Sequence, residues 1–141
     1  MEAKSDKLFV YGSLRKGFHS PAYQYISDYF HFVGPARVRG KLFDMGEYPA
    51  AIPALDDCFI EGELYQLNNP AEFGWAIAQL DDYEGVDPEV GEIPLYRRDL
   101  AHVFCNGYTT EAWIYWYCGD TTGHPRIESG DVLEYRRSKN S

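Results

Sequence analysis

The stretch KLFVYGSLRKG, residues 7–17, is the segment around which we interpret the rest of the sequence. Leu8 to Tyr11 form a continuous apolar and aromatic run, which is typical of a buried strand. The run breaks at Gly12, where the missing Cβ permits a sharp turn and lets a ligand approach the backbone. Successive N–H groups in such a turn can bind a carboxylate or phosphate, with positive charge from Arg15 beside them. An ordinary surface turn explains the same residues, and this stretch alone leaves both interpretations open.

Two well-known motifs are excluded at this turn. Gly12 and Gly17 have the spacing of a P-loop, but Phe18-His19 stands where that motif needs Lys-Ser/Thr to hold phosphate and magnesium. Ser13 lacks the glycines two positions to either side that a nucleophile elbow requires. The sequence therefore supports neither nucleotide hydrolysis nor serine hydrolysis.

Length and composition bound the class of protein. The 141 residues suffice for a single domain, which we assign to 1–141, with a core over about 7–135 and a solvated tail beyond. A net charge of −9 disfavours nucleic acid and anionic membranes as partners. The sequence has no long apolar run and no signal-peptide pattern, and its three cysteines form no paired spacing, so we expect a cytoplasmic protein.

The first half of the chain predicts a helix between strands. Ser20-Pro21 is a helix-start signal, and Phe32–Pro35 is predicted to end that helix. The following elements are two half-buried strands, Ala36–Asp44 and Cys58–Leu67, joined by an irregular loop over Met45–Pro53.

The clearest local signal is the helix start at Asn69-Pro70, where asparagine caps and proline takes the first helical position. Apolar residues then recur on one face, and Gly85 is a helix stop, so that Glu84 lies at the very end of the helix.

A hairpin is predicted in the last third of the chain. Asn106-Gly107 is typical of a type I′ turn between the strands that begin at Tyr96 and Tyr108. The resulting register places these residues on one face: Tyr96, Arg98, Leu100, Trp113, Tyr115 and Tyr117. Strands with two inserted helices predict an α+β fold, a mixed sheet curling into a barrel.

Glu84 is the candidate catalytic carboxylate. It lies at the negative end of a helix dipole, and Asp81 and Asp82 add like charge, so ionisation is disfavoured and the pKa is expected to move toward that of a general base. A solvated acidic edge explains the same residues, and composition alone favours it.

No metal site or cofactor is predicted. The four histidines are scattered, and no paired ligand spacing occurs. Cys58, Cys105 and Cys118 each lie in an apolar, strand-like context typical of inert packing cysteines, although the order of residues does not exclude a cysteine nucleophile.

Six short motifs acquire meaning from their order and spacing. They are Tyr11-Gly12-Ser13-Leu14, Gly46-x-Tyr48-Pro49-Ala50, Gly62-Glu63-Leu64-Tyr65, Asp82-Tyr83-Glu84-Gly85, Tyr96-Arg97-Arg98 and Gly130-Asp131. Together they resemble the gamma-glutamylcyclotransferase-like superfamily, specifically its small bacterial and plant type, over about residues 7–135. The resemblance implies a small mixed β-barrel with flanking helices.

The resemblance also implies a site. The Tyr11–Leu14 loop would bind a γ-glutamyl carboxylate through backbone N–H groups, and Glu84 would be the general acid/base. The implied substrate-binding residues are Tyr11, Gly12, Ser13, Leu14 and Arg15, with Tyr96 and Tyr117 as pocket walls.

The implied reaction is cofactor-independent release of 5-oxoproline and a free amine from a small γ-glutamyl compound, by a monomer or weak homodimer. The leaving amine stays open, because Leu14 stands where the mammalian peptide-specific branch has asparagine. Two alternatives stay open too: a binding module that holds such a ligand without turnover, and a cysteine-dependent acyl transferase.

Overall fold

The computed structural model describes residues 5–12, 26–46, 49–54, 57–84 and 96–139, without the side chains of residues 82–84, 136, 138 and 139. The strands are β1 (Lys7–Val10), β2 (Phe30–Asp44), β3 (Pro49–Pro53), β4 (Phe59–Leu67), β5 (Tyr96–Cys105), β6 (Tyr108–Tyr117) and β7 (Arg126–Ile127). The helices are α1 (Phe73–Glu84), preceded by a 3₁₀ turn over Pro70–Glu72, and α2 (Val132–Lys139).

Five of these strands close into a barrel in the order β2–β4–β1–β6–β5, and a pairing between β5 and β2 completes the ring. The pairing of β1 with β6 is parallel and the other barrel pairings are antiparallel, so the barrel is mixed. Strands β3 and β7 extend the sheet from β2. The predicted fold class, an α+β small mixed barrel with flanking helices, is confirmed.

Two apolar clusters stabilise this arrangement. One takes residues from all five barrel strands, including Phe9, Val38 and Ile114, and fills the barrel. The other packs Ile77 and Leu80 of α1 against the opposite faces of β1, β4 and β6. The amphipathic face predicted for this helix is therefore the face that it buries.

Strand β2 is longer than predicted. Phe32–Pro35, expected to end a helix, lie inside β2, which pairs with β4 from Phe30 onward. The register shifts between Phe32 and Gly34, and this irregularity accommodates the Gly34-Pro35 pair within a paired strand. Residues 26–29 are helical, and the predicted helix start at Ser20-Pro21 lies outside the described residues.

Two other predictions were wrong. The predicted loop contains β3, whose prolines occupy its first and last positions, Pro49 and Pro53, where strands tolerate proline best. The chain beyond residue 135, predicted as a solvated tail, is helical as far as Lys139: it belongs to α2, which is capped by the Asp131 carboxylate and anchored by buried Val132. Tyr135 donates a hydrogen bond to Asp44 at 2.8 Å, so this helix packs on the barrel.

The helix start at Asn69 and the hairpin turn are confirmed. The Asn69 side chain accepts from the Ala71 N–H at 3.1 Å, and α1 is described up to Glu84, whereas the predicted stop at Gly85 lies outside the described residues. In the hairpin Cys105 opposes Tyr108, and both turn residues have positive φ as a type I′ turn requires. All three cysteines are free thiols.

Candidate active site

The predicted site residues that the structure describes meet at one end of the barrel, called here the tyrosine end. Strands β1 and β6 are parallel and end there, whereas β5, antiparallel to β6, begins there. Tyr11 and Gly12 follow β1, Tyr96 opens β5 and Tyr117 closes β6. Ser13, Leu14 and Arg15 lie outside the described residues.

Tyr11 anchors the first loop to β6. Its side chain is buried, and its hydroxyl donates a hydrogen bond to the backbone carbonyl of Tyr115. This bond fixes the position from which the loop leaves the barrel.

Gly12 is needed for close packing. A Cβ at this position would lie 3.0 Å from Pro49 Cγ, tighter than ordinary van der Waals contact, so with a larger residue the Pro49 ring would have to move by a few tenths of an ångström. The sequence singled out this glycine for the approach of a ligand, which stays a prediction; the described neighbour is a proline of the chain itself.

Tyr96 also contacts Pro49, through a hydrogen bond. Its buried hydroxyl donates to the Pro49 carbonyl at 2.8 Å. Its ring also meets that of Tyr117 edge to face, with centroids 5.6 Å apart. Tyr96 and Tyr117 therefore form one aromatic pair that supports the segment against which Gly12 packs.

The end of α1 is attached to the same region through Asp81, which is only 7% exposed. Arg98 contacts this carboxylate with two nitrogens, at 2.8 and 3.1 Å, and the Tyr115 hydroxyl donates to it at 2.8 Å. Glu84 is the last residue of α1, three positions after Asp81. From the sequence we expected the charge of Asp81 to add to the negative field at Glu84. In the structure this charge is paired with Arg98.

The sequence analysis did not predict that Asp81, Arg98 and Tyr115 interact. The hairpin register already placed Arg98 opposite Tyr115 on the face with the tyrosines. What the sequence did not reveal is that α1 turns Asp81 toward that face, because a helix with an acidic C-terminal turn can equally present it to water.

A surface cavity of about 590 Å³ lies at the other end of the β5–β6 hairpin and contains none of the predicted site residues. Its lining includes Arg37, Arg39, Phe59 and the turn residues Asn106 and Gly107. Among the described residues no group of histidine, cysteine, aspartate and glutamate side chains could hold a metal ion. No helix in the described ranges has the length and hydropathy needed to cross a membrane.

Solved structures share this fold. YkqA from Bacillus subtilis superposes with a TM-score of 0.71 and 26% identity over 97% of this chain, which spans 43% of the length of YkqA. An uncharacterised protein from Pyrococcus horikoshii gives a TM-score of 0.66 at 23% identity, covering 96% of this chain and 97% of that one. A mouse AIG2-like protein gives 0.64 at 20% identity, covering 89% and 88%. The last two likenesses concern the fold alone.

Sequence comparison identifies the family. A protein of Methanocaldococcus jannaschii named "Putative gamma-glutamylcyclotransferase" is 32% identical over 139 residues, which are 92% of this chain and 97% of that protein. The model of the family described as "Gamma-glutamyl cyclotransferase, AIG2-like" matches residues 8–136. The chain therefore belongs to the gamma-glutamyl cyclotransferase, AIG2-like family.

Proposed function

We propose that this chain cleaves a γ-glutamyl amide by attack of the substrate's own α-amine, releasing 5-oxoproline and a free amine. Family membership supports cyclotransferase-type chemistry in general. The observation that carries the proposal furthest is the convergence at the tyrosine end. Tyr115 accepts from the loop residue Tyr11 through its carbonyl and donates through its hydroxyl to Asp81, one turn before Glu84.

In the proposed reaction the loop that starts at Tyr11 and Gly12 binds the substrate's α-carboxylate through backbone N–H groups. Glu84 takes a proton from the α-ammonium, which frees the amine to attack the γ-carbonyl carbon. The tetrahedral intermediate then collapses with cleavage of the original amide bond, and Glu84 returns the proton to the departing amine. The ring nitrogen gives up its second proton as it becomes an amide nitrogen, and the released amine takes up this proton and leaves as an ammonium. One C–N bond forms and one breaks, so the chemistry requires only proton transfers.

Ring closure makes positioning the main task of the protein. The amine and the carbonyl belong to one molecule, and an extended γ-glutamyl chain must be held folded for them to meet. Well-oriented intramolecular reactions gain an effective molarity of roughly 10⁵–10⁸ M. Paired tyrosines on adjacent strands, here buried Tyr96 and half-buried Tyr117, suit a pocket wall that holds such a folded chain.

The first experiment measures 5-oxoproline release from γ-glutamyl dipeptides, γ-glutamyl-lysine and glutathione. We expect release from at least one compound, and the active compound names the leaving amine. Glu84→Gln keeps the shape of the side chain and removes the base, so we expect kcat to fall about 10²–10⁴-fold. Glu111→Gln, an exposed glutamate on β6, is the matched control and should retain wild-type turnover.

Other outcomes decide between the alternatives. Binding of a panel compound without release would favour a binding module on the same fold. Loss of turnover after iodoacetamide treatment, with Glu84→Gln fully active, would favour a cysteine nucleophile and contradict the proposed mechanism.

A further inference from the structure

Among the described side chains, the least solvent-accessible carboxylate is that of Asp81. Asp81 is the one charged residue among the described buried side chains, and it precedes Glu84 by three positions on α1. Residues at this spacing belong to the same turn of an α-helix, which has about 3.6 residues per turn. Whatever fixes Asp81 therefore fixes the helical turn that ends at Glu84.

Asp81 is fixed by groups on two barrel strands. Arg98 of β5 contacts both of its carboxylate oxygens, and Tyr115 of β6 donates to Oδ1 at 2.8 Å. Arg98 and Tyr115 oppose each other directly in the β5–β6 register. The Arg98 guanidinium also lies over the Trp113 ring, 4.5 Å from its centroid. A bidentate contact from a stacked guanidinium restrains the orientation of the carboxylate as well as its distance.

Tyr115 connects this cluster to the first loop. Its backbone carbonyl accepts from Tyr11, and its side chain donates to Asp81. Tyr115, a residue of a paired strand, is thus hydrogen-bonded both to the loop proposed to bind substrate and to the helix end proposed to carry the base. A displacement of either part relative to the other would have to disrupt a hydrogen bond to Tyr115.

Net stability alone explains such a cluster poorly. Desolvation of a buried ion pair offsets most of its Coulombic gain, and apolar residues of similar volume often stabilise as well or better. A bidentate ion pair also fixes the relative position and orientation of the two side chains.

We infer that Asp81 is a positioning residue, which acts with Arg98 and Tyr115 to hold the end of α1 in register with the substrate loop. The inference rests on the proposed function, because it gives Asp81 its effect through Glu84. Active sites lose up to about 100-fold in rate when a supporting change misplaces a reacting group by about 1 Å.

The test is a double-mutant cycle assayed as 5-oxoproline release from the active panel compound. Asp81→Asn should lower kcat about 10- to 100-fold while KM changes little, because the substrate loop keeps its Tyr11 anchor. In the Glu84→Gln background the same substitution should have almost no further effect on the residual rate, since the group that it positions has lost its function. Asp57→Asn, an exposed partner of Arg39, is the control and should leave kcat unchanged.

A second variant guards against loss of folding. Tyr115→Phe removes one hydrogen bond to Asp81 and keeps the ring and the carbonyl, so kcat should fall less than in Asp81→Asn. All rates are measured at a temperature where circular dichroism shows each variant folded.

The failures are distinguishable. Absence of any turnover by the wild type would remove the proposed function and this inference together. Turnover that depends on Glu84 and is unchanged in folded Asp81→Asn would remove this inference alone. Equal effects of Asp81→Asn in the two backgrounds would likewise contradict it, since they would show that Asp81 acts independently of Glu84.

Discussion

The two ends of the β5–β6 hairpin contain the same types of side chain in opposite surroundings. At the tyrosine end Arg98 pairs with Asp81 at 2.8 Å, and the two side chains are 22% and 10% exposed. Near the turn end Arg39 pairs with Asp57 at 2.7 Å, and those side chains are 44% and 91% exposed. The two pairs have nearly the same length, so distance does not separate them.

Burial and additional partners separate them instead. Water and salt screen the Arg39–Asp57 pair, and such surface pairs contribute about 0–1 kcal/mol. The Asp81 carboxylate is held by two side chains of the barrel, and loss of either partner would leave polar atoms uncompensated. We therefore expect function and stability to depend on the tyrosine end far more than on the turn end.

The largest expected effect comes from breaking the two ion pairs in parallel. Asp81→Ala leaves the charge of Arg98 and the hydroxyl of Tyr115 without the carboxylate that they contact, and should destabilise the fold by about 3–5 kcal/mol. Asp57→Ala should cost no more than about 1 kcal/mol. Urea unfolding of both variants beside wild type measures the difference.

Salt sharpens this first comparison. At 1 M NaCl the Debye length falls to about 3 Å, so the small cost of Asp57→Ala should vanish while that of Asp81→Ala persists. Equal costs for the two substitutions at low salt would show that burial does not govern these pairs.

A smaller effect is expected from the two tyrosines. Tyr115→Phe removes a buried hydrogen bond to a charged group and should cost about 1.5–3 kcal/mol. Tyr108, at the turn end, is 47% exposed, and its side chain hydrogen-bonds the Cys105 thiol, a weak partner, so Tyr108→Phe should cost less than about 1 kcal/mol. Thermal unfolding of the two variants is the measurement, and a similar loss in both would contradict the assignment of the Tyr115 hydroxyl to Asp81.

These differences also explain which parts of the fold could be read from the sequence. Asn69 and the Asn106-Gly107 turn act through local backbone chemistry, and both were predicted correctly. Helix α2 packs on β2 through Tyr135 and Asp44, which are 91 positions apart in the chain, and it was missed because no local signal shows that contact. Strand β3 pairs with the nearby end of β2, where Asp44 opposes Pro49, and it was missed because a short segment with proline at both ends is also typical of a loop.

The same distinction applies to the site. Tyr11 and Gly12 could be singled out because a glycine directly follows a buried strand, and Glu84 because it is a carboxylate at a helix end; the family resemblance then gave both a role. The pairing of Asp81 with Arg98 could not be predicted from the sequence, because it depends on how α1 is rotated about its axis relative to the hairpin face. An acidic residue in the last turn of a helix is most often solvated, and only packing distinguishes the exception.

The smallest expected effect concerns the cysteines, where the contrast between the ends is reversed. Cys105 at the turn end is buried, whereas Cys118, just after β6, is exposed. Burial raises the pKa of the Cys105 thiol above its ordinary value, and a hydrogen bond with the Tyr108 side chain opposes this shift in part.

The sign of the resulting pH dependence follows from linkage. Below about pH 8.5 the Cys105 thiol is protonated in both the folded and the unfolded chain and contributes no pH dependence. Above that pH the unfolded chain releases the proton first, so the free energy of unfolding falls as pH rises toward the raised pKa of the folded state. Urea unfolding from pH 7 to pH 10 should show a decline that is steeper in wild type than in Cys105→Ala, with Cys118→Ala following wild type. Parallel profiles for wild type and Cys105→Ala would mean that the thiol ionises as readily in the barrel as in water, and that burial at the turn end does not raise its pKa.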